Sequence, residues 1–429
     1  MRHLKLTAIL FVVVLVAAAG CGDPETADNQ DDNNDENALD NIDEDEDLIP
    51  RCEADFWDCE EFVDGADMSI NRFNHQSVVL DDEHVLLIGG SEREEEGGAR
   101  RSDTWEVFNV EEDTVEVEAT EFETTRRNPS VVQLPNASVL VVGGEDHRGD
   151  RKRSVKHFSP SSHEWTPLPD MNAAYSQAIG LDDGGVLALG IAHSREPNDV
   201  VGQTFDVETL EWSSVSSGEL FDDSIADFIF AELDDGRILF VYANEAPDMY
   251  QEDSIPEEFE SLDWTVYFTT VAIYDHESGE VEMVEQLEHE SYGGFNYQLV
   301  TLDPSGQLLL EVETYDFDDE EEFAMVTDEA FGYLFDPEDE SLDLHYEEDA
   351  SAGVMRTTLP GDQVVFDSPP VLQIHEVPNA WFDFTAIPDG IYYSTMNLLS
   401  DCRLFVSGER TYSGEDERGV QTGYCEPVD

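Results

Sequence analysis

The sequence predicts an all-β fold, a β-propeller of seven four-stranded blades in which the N- and C-terminal strands share the last blade. Three observations carry this. A hairpin pattern recurs seven times, on average about 50 residues apart, a spacing found in blade-forming repeats. From Cys52 onward the strands are short, rich in β-branched and aromatic residues, and broken by Asp-Gly, Pro and Asn, with no apolar pattern at the helical period. The last repeat is one strand short, and the segment before the first repeat can supply it.

The first hairpin runs through 72–80, turns at Asp81-Asp82 and returns over 84–90, ending on Gly89-Gly90. The second, 127–134 and 139–144, ends on Gly143-Gly144, and the third, 178–181 and 186–190, keeps Gly190 alone. Worn copies follow at 232–241, 301–310, 358–366 and 397–408. An aromatic strand ending in a turn follows most hairpins: Trp105 to Asn109, Phe158-Ser159-Pro160 with Trp165, Phe205-Asp206 with Trp212, Tyr274-Asp275, and Phe335-Asp336-Pro337.

Hairpin, double glycine, aromatic strand and tryptophan strand together resemble the kelch repeat family over about 57–429, and the resemblance implies a kelch-like β-propeller built of four-stranded blades. The glycines allow the second strand to end in backbone angles closed to other residues and to pass close to its neighbours. A β-sandwich would not repeat with so long a period.

Closure of the ring follows from the ends of the chain. The last unit offers strands near 392–398, 402–406 and 422–425, after which the sequence stops. Asp55-Phe56-Trp57, followed by Met68 and Arg72, stands where Trp165 and Met171 stand before the third hairpin, so this segment is expected to add the fourth strand and remove an open edge. Cys52, Cys59, Cys402 and Cys425 all fall in that shared blade. An even number in an exported chain suggests two disulfides, with Cys52–Cys59 and Cys402–Cys425 favoured over cross-terminal pairing, and the spacing matches no zinc site.

The N-terminus reads as an export signal. A short basic head, Met1 to Lys5, precedes an uncharged apolar run over 6–19 that is too short to span a bilayer. Ala18-Ala19-Gly20-Cys21 resembles a bacterial lipobox, which implies cleavage of residues 1–20 and lipidation of Cys21. Residues 21–51 then form an acidic tether too polar to order itself, and 52–429 form the propeller. Gly22 after the cysteine favours the outer membrane over the inner.

Charge narrows the partners. The chain carries 101 acidic and 20 basic residues, a net charge of −81, and the stretch 22–50 holds only 13 of the acids. Most of the acid therefore belongs to the folded part. Such a surface argues against nucleic acid and anionic membranes, and fits high salt, where the Debye length is about 3 Å at 1 M.

The sequence offers no nucleophile motif, metal cluster or phosphate loop, and its 11 histidines are scattered. Kelch-type galactose oxidases use copper with a tyrosine–cysteine cofactor, whereas the mature cysteines here lie only at the chain ends. No cofactor or metal is expected. In an up-and-down blade, loops joining strands two and three open on the same face as the connections between blades. Half of the 20 basic residues fall within 93–156, and Arg72, Arg101, Arg126, Arg127 and Arg151 are expected to gather on that face, suited to carboxylate or phosphate groups. Equally, these arginines can neutralise nearby acids such as Glu92. Across the ring, 244–263 and 313–329 read as acidic insertions. The expected function is a monomeric, non-enzymatic envelope lipoprotein binding a protein or polysaccharide. The alternatives are a carbohydrate-active lyase or epimerase using the axial pocket, and a structural subunit of an envelope complex.

Overall fold

The computed structural model describes Val14–Leu15 and most of the chain between Cys59 and Pro427. Outside the described residues are 94–98, 122–128, 145–151, 193–199, 216–224, 246–266, 291–294, 319–323, 349–353, 385–390, 411–419 and some shorter positions. The described residues contain strands and turns and no helix.

The strands form antiparallel meanders arranged as a propeller. In the first unit, Gln76–Val79, His84–Ile88, Thr104–Asn109 and Thr114–Glu121 pair in that order, and five further sheets have four strands. Innermost strands of successive units touch in sequence order, and Ile391–Leu398 touches Gln76–Val79, which closes the ring. Where seven four-stranded blades were expected, the described residues form six four-stranded sheets. Unit five, 295–348, has five strands, because Val14–Leu15 lies parallel to Leu299 and Val300 on the inner edge of its four-stranded meander. That edge faces the axis, where no main chain of the same unit competes for its hydrogen bonds. A small three-stranded sheet, Arg72–Phe73, Ser91–Arg93 and Ala99–Arg101, extends the first unit.

Local sequence explains the repeat. Each innermost strand ends on a buried leucine: Leu80, Leu134, Leu181, Leu233, Leu302, Leu359 and Leu399, none above 7% exposure. The amide N–H groups of Leu80, Leu134, Leu233 and Leu399 donate to the carbonyls of His84, Ser138, Arg237 and Arg403 at 2.7–2.8 Å, closing the turn. A left-handed residue lies inside most of the seven turns though not in that after Leu80, glycine at Gly184 and Gly236 but Ala137 and Cys402 in two others. The turns after the aromatic strands have their own signal. Asn109, Asp206, Asp275 and Asp336 each use a side-chain oxygen to accept an amide N–H two or three residues on, so the aromatic-Asx pair reverses the chain at its own position.

The core is a series of wedges between neighbouring sheets. Trp105, Phe158 and Trp165 fill the first wedge, with ring centroids 4.9–6.0 Å apart. The wedge between units five and six is the smallest, with only Val300, Leu302, Leu309 and Val364 fully buried in it.

The closing sheet takes its fourth strand from the N-terminal side, as the sequence leads one to expect, but further along the chain. The strand is Cys59–Asp64, paired with Val420–Pro427, while Asp55, Phe56 and Trp57 lie outside the described residues. Phe62 and Gly423 set this register: a Cβ on Gly423 would lie 2.1 Å from the Phe62 ring. Cys402 and Cys425 are both disulfide-bonded, and Cys52 and the Cys59 side chain lie outside the described residues.

The acidic stretch 313–329 is partly a ladder and not only a loop. After a register shift between Glu313 and Tyr315, Tyr315 to Asp318 pair with Thr327 to Ala324, extending the hairpin beyond the ring.

Candidate binding surfaces

The two faces of the ring are unlike. Strands one and two, and strands three and four, are joined by tight turns, such as that from Glu232 to Ile238. Strands two and three, and successive units, are joined from the opposite ends of the strands, in most units by longer connections such as the one between Glu245 and Tyr267, although only two residues separate strands two and three of unit six. This is the face on which the sequence leads one to expect the basic residues.

Arg72 corrects that expectation. It is wholly buried, and its Nε donates to Glu106 Oε1 at 2.9 Å. Its Nη1 donates to the carbonyls of Gly89 and Thr104, at 3.2 and 3.1 Å, and its Nη2 to Thr104 Oγ1 at 3.2 Å. Burial lowers the guanidinium pKa and Glu106 opposes that shift. Arg72 therefore holds the double glycine and the third strand together and is not available to a ligand. The glycines make room for the same segment: a Cβ on Gly90, at φ +82°, would lie 2.5 Å from the Phe73 carbonyl oxygen.

Of the other predicted residues, Arg101 lies on Ala99–Arg101, its backbone paired with Ser91 and its side chain outside the described residues. Arg126, Arg127 and Arg151 lie outside the described residues altogether. Beside Arg101, Arg100 is 61% exposed and forms an ion pair of 2.5 Å with Glu92, which also accepts a 2.8 Å hydrogen bond from Ser102 Oγ. At least one arginine of this rim thus neutralises a neighbouring acid.

Sequence reasoning missed a buried carboxyl in unit five. Glu311 is fully buried on Leu308–Asp318, between Gln298 Nε2 at 3.2 Å and the Tyr346 hydroxyl at 2.5 Å. Burial pushes its pKa up to about 8; nearby Glu313 adds to the rise, and the two hydrogen bonds oppose it. Tyr346 reaches across Gly332, where a Cβ would lie 2.1 Å from the tyrosine ring. The signal was present as charge inside an apolar run, Leu308-Leu309-Leu310-Glu311-Val312, opposite a glycine in an aromatic strand. A second polar contact joins the closing sheet to the first: His75 Nε2 lies 2.8 Å from Ser407 Oγ, which is 2.9 Å from Thr395 Oγ1. Both groups are buried and placed to fasten sheets.

On the tight-turn face, a groove of about 740 Å³ opens beside the outer strand of unit four, lined by Arg237, Ile273, Asp275, Gly279 and 280–283. Arg237 donates to Asp235 and to Glu340 of unit five, both at 2.7 Å, so it ties the two units at the groove. Among the described residues, no group of three or more His, Cys, Asp or Glu side chains is placed to hold a metal ion.

Residues 126–172 match the kelch motif. The matched stretch is the second unit, Ser130–Gln133 through Glu164–Leu168 with its flanks, and its geometry shows what the motif encodes. Gly143 and Gly144 take φ of +65° and +87°, Phe158 and Trp165 fill the wedge towards unit one, and Met171 is buried towards unit three. Unit one repeats the kelch pattern with Gly89-Gly90, Trp105 and Phe108. A search of curated proteins finds no match to the chain. The kelch motif and the sheet topology together describe a kelch-repeat β-propeller, a fold consistent with a non-enzymatic binding module.

Proposed function

We propose that this chain is a cell-envelope lipoprotein, held by lipid at Cys21, most favourably in the outer membrane, whose seven-bladed kelch-like propeller binds a protein or polysaccharide without catalysis. The observation that carries the binding role is the asymmetry of the ring. Tight turns fix one face, while the longest connections of the chain leave from the other. A scaffold that holds its variable loops together on one end is suited to recognition. Removal of residues 1–20 takes Val14–Leu15 away from unit five and leaves four strands in each of the seven blades.

In this reading the loops holding Arg101, Arg126, Arg127 and Arg151 and the acidic stretches 244–263 and 313–329 supply the two signs of charge by sequence, so a ligand with separated negative and positive regions suits it. Two measurements test this. Radiolabelled palmitate is incorporated into the wild-type chain and not into Cys21→Ser. Pull-down from envelope extract at high salt, with glycan-array binding alongside, recovers a ligand whose retention drops in Arg126→Ser/Arg127→Ser. Unchanged retention by that variant sinks the arginine site, and turnover of a polysaccharide by the purified protein sinks the non-enzymatic reading.

A further inference from the structure

We propose that the groove beside the outer strand of unit four is a docking site for a basic, extended peptide segment of a partner protein. Its lining is apolar at Ile273, Val281 and Met283 and acidic at Asp275, Glu280 and Glu282. Met283 is 66% exposed, the most exposed large hydrophobic among the described residues. The next, Leu344 at 53%, lies on Ser341–Glu348, the outer strand of unit five, which touches the outer strand of unit four. A highly exposed apolar side chain that lines a concavity is more than the scattered apolar residues of an ordinary surface.

Charge selects the occupant. Arg237 already bonds Asp235 and Glu340, so the lining presents carboxylates with its basic residue engaged elsewhere. A lysine or arginine matches this lining, which offers apolar surface at Met283 for its aliphatic stem and carboxylates at Glu280 and Glu282 for its charged head. A second copy of this chain does not, because a net charge of −81 meets itself with repulsion. A neutral polysaccharide leaves the carboxylates without counter-charge, and an anionic one is repelled. The outer strand Val281–Gln286 ends its sheet and has a free main-chain edge on which an extended segment can align. Arg237 and Asp275 belong to the tight-turn face, so this site is separate from the arginines of the open face and stands or falls independently of them.

The test uses the mature protein and a fluorescein-labelled peptide of alternating lysine and leucine, followed by fluorescence anisotropy at about 1 M KCl, where diffuse attraction is screened within about 3 Å. Glu280→Gln/Glu282→Gln and, separately, Met283→Ser weaken binding by about tenfold or more, equivalent to about 1.4 kcal/mol. Glu118→Gln/Glu121→Gln, which removes the same charge from exposed positions on the outer strand of unit one, changes it less than about twofold. Because all these side chains are on the surface, thermal melts confirm that each variant folds. Equal losses in the groove and control variants, no loss in the groove variants, or binding of dextran but not of the peptide overturns the proposal.

Discussion

The Arg72 guanidinium and the Glu106 carboxylate meet at 2.9 Å with neither side chain exposed to solvent. Glu106 Oε2 also accepts the Ser69 amide at 2.8 Å, so one carboxylate fastens the chain that leaves the closing sheet to the third strand of unit one. A buried pair of this kind is costly to break from one side, because the remaining charge has no partner and no water. Arg72→Met is expected to lower the unfolding free energy by about 3–5 kcal/mol, read from urea denaturation at fixed salt. Arg72→Met/Glu106→Leu recovers a large part of that loss. A single variant as stable as wild type would show that the pair is not isolated from solvent.

Gly332 exists for Tyr346. With a Cβ only 2.1 Å from the ring, Gly332→Ala must push the tyrosine off Glu311, and overpacking of this kind costs about 1–3 kcal/mol. Adding Tyr346→Ala to Gly332→Ala removes the clash, so the alanine at 332 should destabilise less in that background than alone. Thermal melts of the four proteins in the cycle measure the coupling.

Glu311 ties stability to pH. Its pKa rises from the ordinary 4.5 to about 8 on folding because burial disfavours the carboxylate. Below 4.5 both folded and unfolded states hold the proton and the contribution is fully present. Between 4.5 and about 8 only the unfolded state releases it, so stability falls by about 1.4 kcal/mol per pH unit and levels off above the folded value. Glu311→Gln keeps a carbonyl acceptor for the donors Gln298 Nε2 and Tyr346 Oη while removing the titration. The stability difference between this variant and wild type should grow from pH 4.5 to 8, and a constant difference would refute the assignment.

Salt should stabilise the fold. Within 52–429 acidic residues far outnumber basic ones, and their mutual repulsion opposes the compact state. Raising KCl from about 0.1 to 1 M shortens the Debye length from about 10 to 3 Å and should raise the Tm by several degrees. The same increase should leave the effect of Arg72→Met nearly unchanged, since a buried pair is little screened.

Some of this was readable residue by residue. Leu80 and its six counterparts, the left-handed turn positions and the aromatic-Asx pairs act within a few residues of themselves, so periodicity announces them before any contact is known. Arg72 was different. Beside the arginines of 93–156 it looked like one more surface cation, and only the approach of Thr104–Asn109 to the double glycine put Glu106 opposite it. The closing strand was misplaced by a few residues for a related reason. Trp57 matched the motif, whereas the Phe62 ring lies over Gly423 of the neighbouring strand, and a register depends on both strands.

By itself, the sequence determined the all-β class, the hairpin repeat and the supply of the last unit's missing strand from the N-terminal side, because each rests on local turn chemistry and on the alternation of buried side chains. Tertiary structure alone decided which charged residues are interior, which glycines are obligatory and where the groove opens beside unit four. Those outcomes depend on side chains that meet across sheets, at separations such as the 34 residues between Arg72 and Glu106, where a one-dimensional pattern carries no distance.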